Sequence, residues 1–132
     1  MHFALIDSII EEGPTRIVTQ KHVSNAEEYL LDHFPGYPVL PGVMMLEAMV
    51  QAARRLAGPS EPPMVLGQVR ALKYGAFVRP GDSLRVTVEK GKQADDGTIE
   101  FKGEASRISP SDASSEAKVA VSGRFALRPV RR

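Results

Sequence analysis

The chain has no cysteine and no tryptophan among its 132 residues, and aromatic side chains make up only 6% of it. Without Cys there are no disulfides, no thiolate zinc sites and no thiol nucleophile, and a cytoplasmic setting is expected. The scarcity of aromatics leaves few platforms on which nucleotide bases could stack. A surplus of one charge is missing too. Lys and Arg number 17 against 16 Asp and Glu, a formal net charge of +1, which argues against a basic nucleic-acid binder. There is also no long apolar run. The charge-poor stretch 34–53 is broken by Pro35, Pro38, Pro41 and Glu47, so no membrane span is expected. The apolar start, residues 1–10, contains Asp7 and has no basic segment before its apolar stretch, so it does not read as a signal peptide.

What is present fits one globular domain over residues 1–132. Hydrophobic residues make up 42% and charged residues 25%, near the globular average, and this length buries about two thirds of the unfolded surface. The charge is unevenly spread. Residues 1–66 carry four basic and eight acidic side chains, residues 67–132 thirteen and eight. The tail, about 128–132, is expected to be frayed.

Two apolar runs, Leu5–Ile10 and Arg16–Val23, flank a Gly13-Pro14 break and suggest a hairpin. Ser24 or Asn25 can cap a short helix reaching Leu31. Residues 32–41, with Pro35, Gly36, Pro38 and Pro41, exclude regular structure. Gly42–Leu56 reads as one helix about 22 Å long, with Pro41 in its first turn and Gly58-Pro59 ending it. Apart from Glu47 and Gln51 its stretch Val43–Ala53 is apolar all round, the mark of a buried helix. Strands are expected at Met64–Tyr74, Ser83–Glu89, Thr98–Ile108 and Lys118–Leu127, separated by Arg79-Pro80-Gly81-Asp82, Asp95-Asp96-Gly97 and the polar loop Ser109–Ser115. One buried helix among antiparallel strands is an α+β architecture. A single sheet with one helix leaves a face or an edge to cover, which points to a symmetric dimer.

The chemistry concentrates in residues 32–51. Glu47 is the one charge in the apolar helical stretch, so its carboxyl is expected to be desolvated and biased toward the proton-donating form. Gln51, a turn later, can hydrogen-bond it. The alternative is a Glu that faces solvent or pairs with a base from a neighbouring strand. His33, in a proline-framed loop, has the titration range of a general base, or is a structural histidine. His2, His22 and His33 lack ligand spacing, so no metal site is expected. No side chain at Leu40 caps the helix start, so the N–H groups of Gly42 and Val43 are open to a polarised carbonyl unless water or backbone caps them.

The run His33-Phe34-Pro35-Gly36, then Pro38-Val39-Leu40-Pro41-Gly42, then Leu46-Glu47-Ala48-Met49-Val50-Gln51, with 14 residues from His33 to Glu47, resembles the (3R)-hydroxyacyl-[acyl-carrier-protein] dehydratases of type II fatty-acid synthesis. Phe77-Val78-Arg79-Pro80-Gly81-Asp82 is a looser second match. The resemblance implies a hot-dog fold, a long helix wrapped by an antiparallel sheet. It implies a homodimer with sites at the subunit interface, and a trimer of dimers as a higher state. It makes His33 and Glu47 the catalytic pair: His33 takes the α-proton of a 3-hydroxyacyl thioester and Glu47 protonates the departing hydroxyl. The Gly42 N–H holds the thioester carbonyl and the Val39 carbonyl orients the imidazole. Phe34, Val43, Gln51 and Tyr74 line the substrate. The acyl chain needs an apolar tunnel, for which Met44, Met45, Met49, Phe34, Tyr74 and Phe77 are candidates, although Met on a helix is more often plain core. No metal or redox cofactor is implied; the phosphopantetheine arm arrives with the substrate on its acyl carrier protein. The charge asymmetry offers a docking surface for that acidic partner in the basic C-terminal half, at Arg70, Lys73 and Arg79. The sequence departs from the family pattern at Asp32, where Gly is usual, and at Arg54-Arg55, where small residues are common. Two other readings stay open: a hot-dog thioesterase, and a non-catalytic acyl- or carrier-binding module.

Overall fold

The structure is a computed structural model that describes residues 4–24, 39–60, 62–109 and 117–130. The elements are β1 (Ser8–Glu12), β2 (Arg16–His22), α1 (Gly42–Ala57), β3 (Met64–Tyr74), β4 (Ser83–Gln93), β5 (Ile99–Ile108) and β6 (Lys118–Pro129). The strands form one antiparallel sheet in the order β1-β2-β4-β5-β6-β3. The helix lies against one face of it. This is the α+β architecture expected from the element order, in the hot-dog arrangement that the resemblance implies. The short helix expected from Ser24 lies almost wholly outside the described residues, as does most of the loop at 109–115.

Period-2 alternation explains why one face of the sheet receives the helix. Along β4, Leu84, Val86 and Val88 are buried while Arg85 and Glu89 are exposed. Along β5, Ile99, Phe101 and Ala105 point the same way, and on β6 Val121, Phe125 and Leu127 complete the floor. The Phe101 and Phe125 rings stack with centroids 5.6 Å apart. The helix lays Met45, Ala48, Met49, Ala52 and Ala53 on this floor. Met49 needs room there. A Cβ at Gly103 on β5 would stand 2.7 Å from its Sδ, so the missing side chain is the socket for the methionine.

The turns do what their composition demands. Gly97 has φ +92° and its N–H donates to the Ala94 carbonyl, closing the β4–β5 hairpin as Asp-Asp-Gly predicts. In Arg79-Pro80-Gly81-Asp82, Gly81 has φ +98° and Asp82 Oδ2 accepts from the Arg79 N–H at 3.0 Å. Val23 then clamps the turn, since its carbonyl accepts from Gly81 and its N–H donates to Asp82.

Three expectations change. First, Arg128 and Pro129 are not frayed: they pair with Val65 and Met64, and the Val130 N–H donates to Pro63. The tail extends because β3 is long enough to offer it partners; residues 131–132 lie outside the described residues. Second, β1 starts at Ser8 rather than Leu5, because Leu5 turns inward to the core instead. Third, Pro41 is the residue before the helix, with extended φ −61° and ψ 143°, and its carbonyl accepts from Met44 and Met45.

Candidate active site

The helix is apolar nearly all round, yet the single chain covers only part of it. Val43, Glu47, Gln51 and Arg54 follow one another at i, i+4, i+8 and i+11, which puts them on one stripe. That stripe faces away from the core. Val43 is 67% exposed, and the side chains of Glu47 and Arg54 are 37% and 40% exposed.

At the head of the stripe, Pro41 offers no side-chain cap. Among the described residues the N–H groups of Gly42 and Val43 have no hydrogen-bond partner. These are open donors at the positive end of a helix dipole. Leu40 is held just upstream, its N–H donating to the Val78 carbonyl at 2.7 Å, and Val39 and Leu40 are both buried. Tyr74, at the end of β3, reaches the same place. A Cβ at Gly42 would lie 2.7 Å from the Tyr74 Cε1 atom and 2.8 Å from Cζ, so glycine is what lets the ring lie on the helix start. Gly42 and Tyr74, predicted separately, are thereby brought together.

Glu47 departs from expectation. It is not desolvated within the chain but partly exposed, and it is not the only charge on its stripe. Gln51 donates through Nε2 to Glu47 Oε1 at 3.4 Å, and the Arg54 Nη1 stands 3.7 Å from the same oxygen. The Gln51 Oε1 accepts from the Leu5 N–H at 2.7 Å, which ties the N-terminal segment to the site. Sequence reasoning missed Arg54 as a partner of Glu47. The signal was there in the spacing of seven, two helical turns on the same face, but a neighbouring strand was the expected source of any base.

Met45 and Met49 are 4% and 0% exposed and belong to the core between helix and sheet, so they do not line an acyl tunnel within this chain; Met44 packs against the same core. Phe77 is 60% exposed near the Tyr74 end of β3. His33, Phe34 and Asp32 lie outside the described residues. Of the candidate docking cations, Arg70 is engaged with Glu100 at 3.0 Å on the outer face of the sheet, and Lys73 is exposed.

Residues 9–116 match the model of the ApeI-like family, described as ApeI dehydratase. A 3-hydroxyacyl-[acyl-carrier-protein] dehydratase FabZ of Magnetococcus marinus is 50% identical over 91 residues, 64% of this chain and 60% of that protein. The protein of the same name from Thermotoga petrophila is 38% identical over 106 residues, 78% of this chain and 75% of its own length. Among solved structures, the dehydratase heterocomplex ApeI:P from Xenorhabdus doucetiae superposes with TM-score 0.67 at 16% identity, covering 96% of this chain and 99% of that one. A thioesterase superfamily member from Thermus thermophilus also reaches 0.67, at 20% identity over 92% of this chain and 84% of that one. The structural likenesses establish the fold and do not separate dehydratase from thioesterase; the sequence matches do, and by them this chain belongs to the ApeI-like dehydratase family.

Proposed function

We propose that the protein removes water from 3-hydroxyacyl thioesters carried on acyl carrier protein, giving trans-2-enoyl thioesters in fatty-acid or related acyl-chain synthesis. The observation that carries this reading is the stripe itself: open amide donors at Gly42 and Val43, and a carboxyl at Glu47 one turn on, on the uncovered side of a helix otherwise packed into a core. The relatives named as FabZ dehydratases support it.

The reaction needs three things of the protein. The thioester carbonyl must be polarised so that the neighbouring C–H becomes acidic, and the helix-terminal N–H groups are suited to that. A base must take the α-proton, the role given to His33. An acid must protonate the hydroxyl as its C–O bond breaks, the role given to Glu47. The α-proton leaves on the base, the C–H electron pair becomes the new double bond, and the hydroxyl departs as water. The atoms balance with acid–base chemistry alone, so the reading includes no metal or redox cofactor. The phosphopantetheine arm is part of the substrate, and Lys73 and Arg79 stand on the segment adjoining Tyr74 where an acidic carrier would approach. The cytoplasmic setting expected from the sequence goes with this reading.

A second copy of the chain is part of the proposal. β3 is an edge strand of eleven residues, most of them exposed, with Leu66 and Val69 among its uncovered apolar side chains. A long bare edge of this kind calls for a partner strand. A homodimer through this edge would bring two sites toward one interface, with a trimer of dimers as the higher state.

The test is turnover of a 3-hydroxyacyl carrier substrate, followed by the absorbance gain of the enoyl thioester. His33→Ala and Glu47→Gln are each expected to lower kcat by about 100-fold or more, the usual weight of a general acid or base. Release of free thiol without enoyl product would favour the thioesterase reading, and carrier binding without turnover the non-catalytic one.

A further inference from the structure

Arg54 stands where small residues are common in the resembled family, and the geometry gives it a task. Its Nε–H donates to the Met64 carbonyl at 3.2 Å, while its Nη1 faces Glu47 Oε1 at 3.7 Å. Met64 is the first residue of β3 and is held by its pairing with Pro129 on β6. The guanidinium therefore spans from the sheet edge to the candidate acid, and its planar fork suits two acceptors at once.

The direction of the contacts matters. Gln51 Nε2 and Arg54 Nη1 both address Oε1 of Glu47. Oε2 has no partner among the described residues. The Gln51 hydrogen bond and the Arg54 charge, which stands beyond hydrogen-bond distance, both favour Oε1 as the acceptor. That turns the carboxyl to one orientation and leaves the other oxygen to carry the transferable proton, because a carboxylic acid protonates on the oxygen not already accepting. We propose that Arg54 is a positioning residue for the dehydration assigned above: it braces Glu47 against β3 and presents Oε2 to the departing hydroxyl. The inference rests on that assignment of function.

Arg54 has a simpler possible role, favourable charge in the last turn of α1. Arg55 shares that turn and provides the control. Its Nε–H donates to Glu12 Oε2 at 3.0 Å on β1, away from Glu47. The experiment measures kcat, KM and melting temperature for the wild-type protein and for R54A, R54K and R55A, on a 3-hydroxyacyl carrier thioester. R54A is expected to lose about tenfold in kcat with KM within twofold of wild type, as for a misaimed catalytic group. R54K, which keeps a donor and the charge, is expected to recover part of that loss. R55A is expected to turn over like wild type, while its melting temperature shifts as much as that of R54A. Unchanged kcat in R54A, a loss confined to KM, or an equal kcat loss in R55A would overturn the positioning role and leave the dehydratase reading intact. A wild-type protein that does not turn over the substrate would remove that reading, and this inference with it.

Discussion

Gly42 is a residue at which stability and activity are expected to part. Ala is worth up to about 1 kcal/mol over Gly inside a helix, and less at the first helical position, where Gly42 stands. Here the added Cβ would press on the Tyr74 ring at 2.7 Å. Tyr74 is 53% exposed, so its ring can swing into solvent at little cost to folding, but it then leaves the helix start. Gly42→Ala is expected to hold or slightly raise the melting temperature while lowering kcat/KM about tenfold, read by thermal denaturation beside turnover. A parallel fall in both would mean that the glycine serves the fold alone. At this scale the sequence was informative about identity and poor about surroundings. Glu47, Gln51 and Gly42 were legible as a set, but the partial exposure of Glu47 depends on which helix face the sheet takes.

The elements are where sequence reading did best. β3 was legible to its terminal residues, and β6 was read two residues short because pairing with β3 carries it to Pro129. What stayed hidden inside β3 is its irregularity, with register shifts between Leu66 and Gln68 and again further on. Ala71 has φ +53° and the register shifts between Arg70 and Lys73, which sends Leu72 inward over Gly123. Val69-Arg70-Ala71-Leu72-Lys73 has no alternation break sharp enough to announce that. The packing of α1 on β5 was hidden too, because a strand glycine says only that something approaches closely. Met49 is what approaches. Gly103→Val is expected to destabilise the protein by about 1–3 kcal/mol through overpacking. Met49→Ala alone is expected to cost about 2–5 kcal/mol. Combined, the two should cost clearly less than their sum, since the valine fills part of the space the methionine vacates. Urea unfolding of the four proteins checks the coupling; strict additivity would place Met49 elsewhere.

For the molecule as a whole, the helix carries the clearest message. Its nearly all-round apolar composition predicts burial on nearly every side, yet Val43 is largely bare in the single chain and β3 is exposed on both faces. Sequence and structure agree once the missing cover is a second copy meeting the β3 edge. A lysine on an edge strand is a device that natural sheets use against such pairing. Val69→Lys is therefore expected to shift the protein from dimer to monomer in sedimentation velocity. Turnover should fall with it, because the two sites are proposed to lie at that interface. A monomeric wild type, or a Val69→Lys dimer with full activity, would count against the arrangement.

By itself the sequence determined the class of fold and the order of the elements, and it singled out the residues proposed to carry the chemistry, because periodicity, turn composition and a dense local motif are written along the chain. Only the tertiary structure decided which face of α1 meets the sheet. That choice brought Tyr74 onto Gly42 and the Met64 carbonyl to Arg54. It also left the Glu47 carboxyl short of full burial, because one six-stranded sheet has surface enough to cover only one side of a helix.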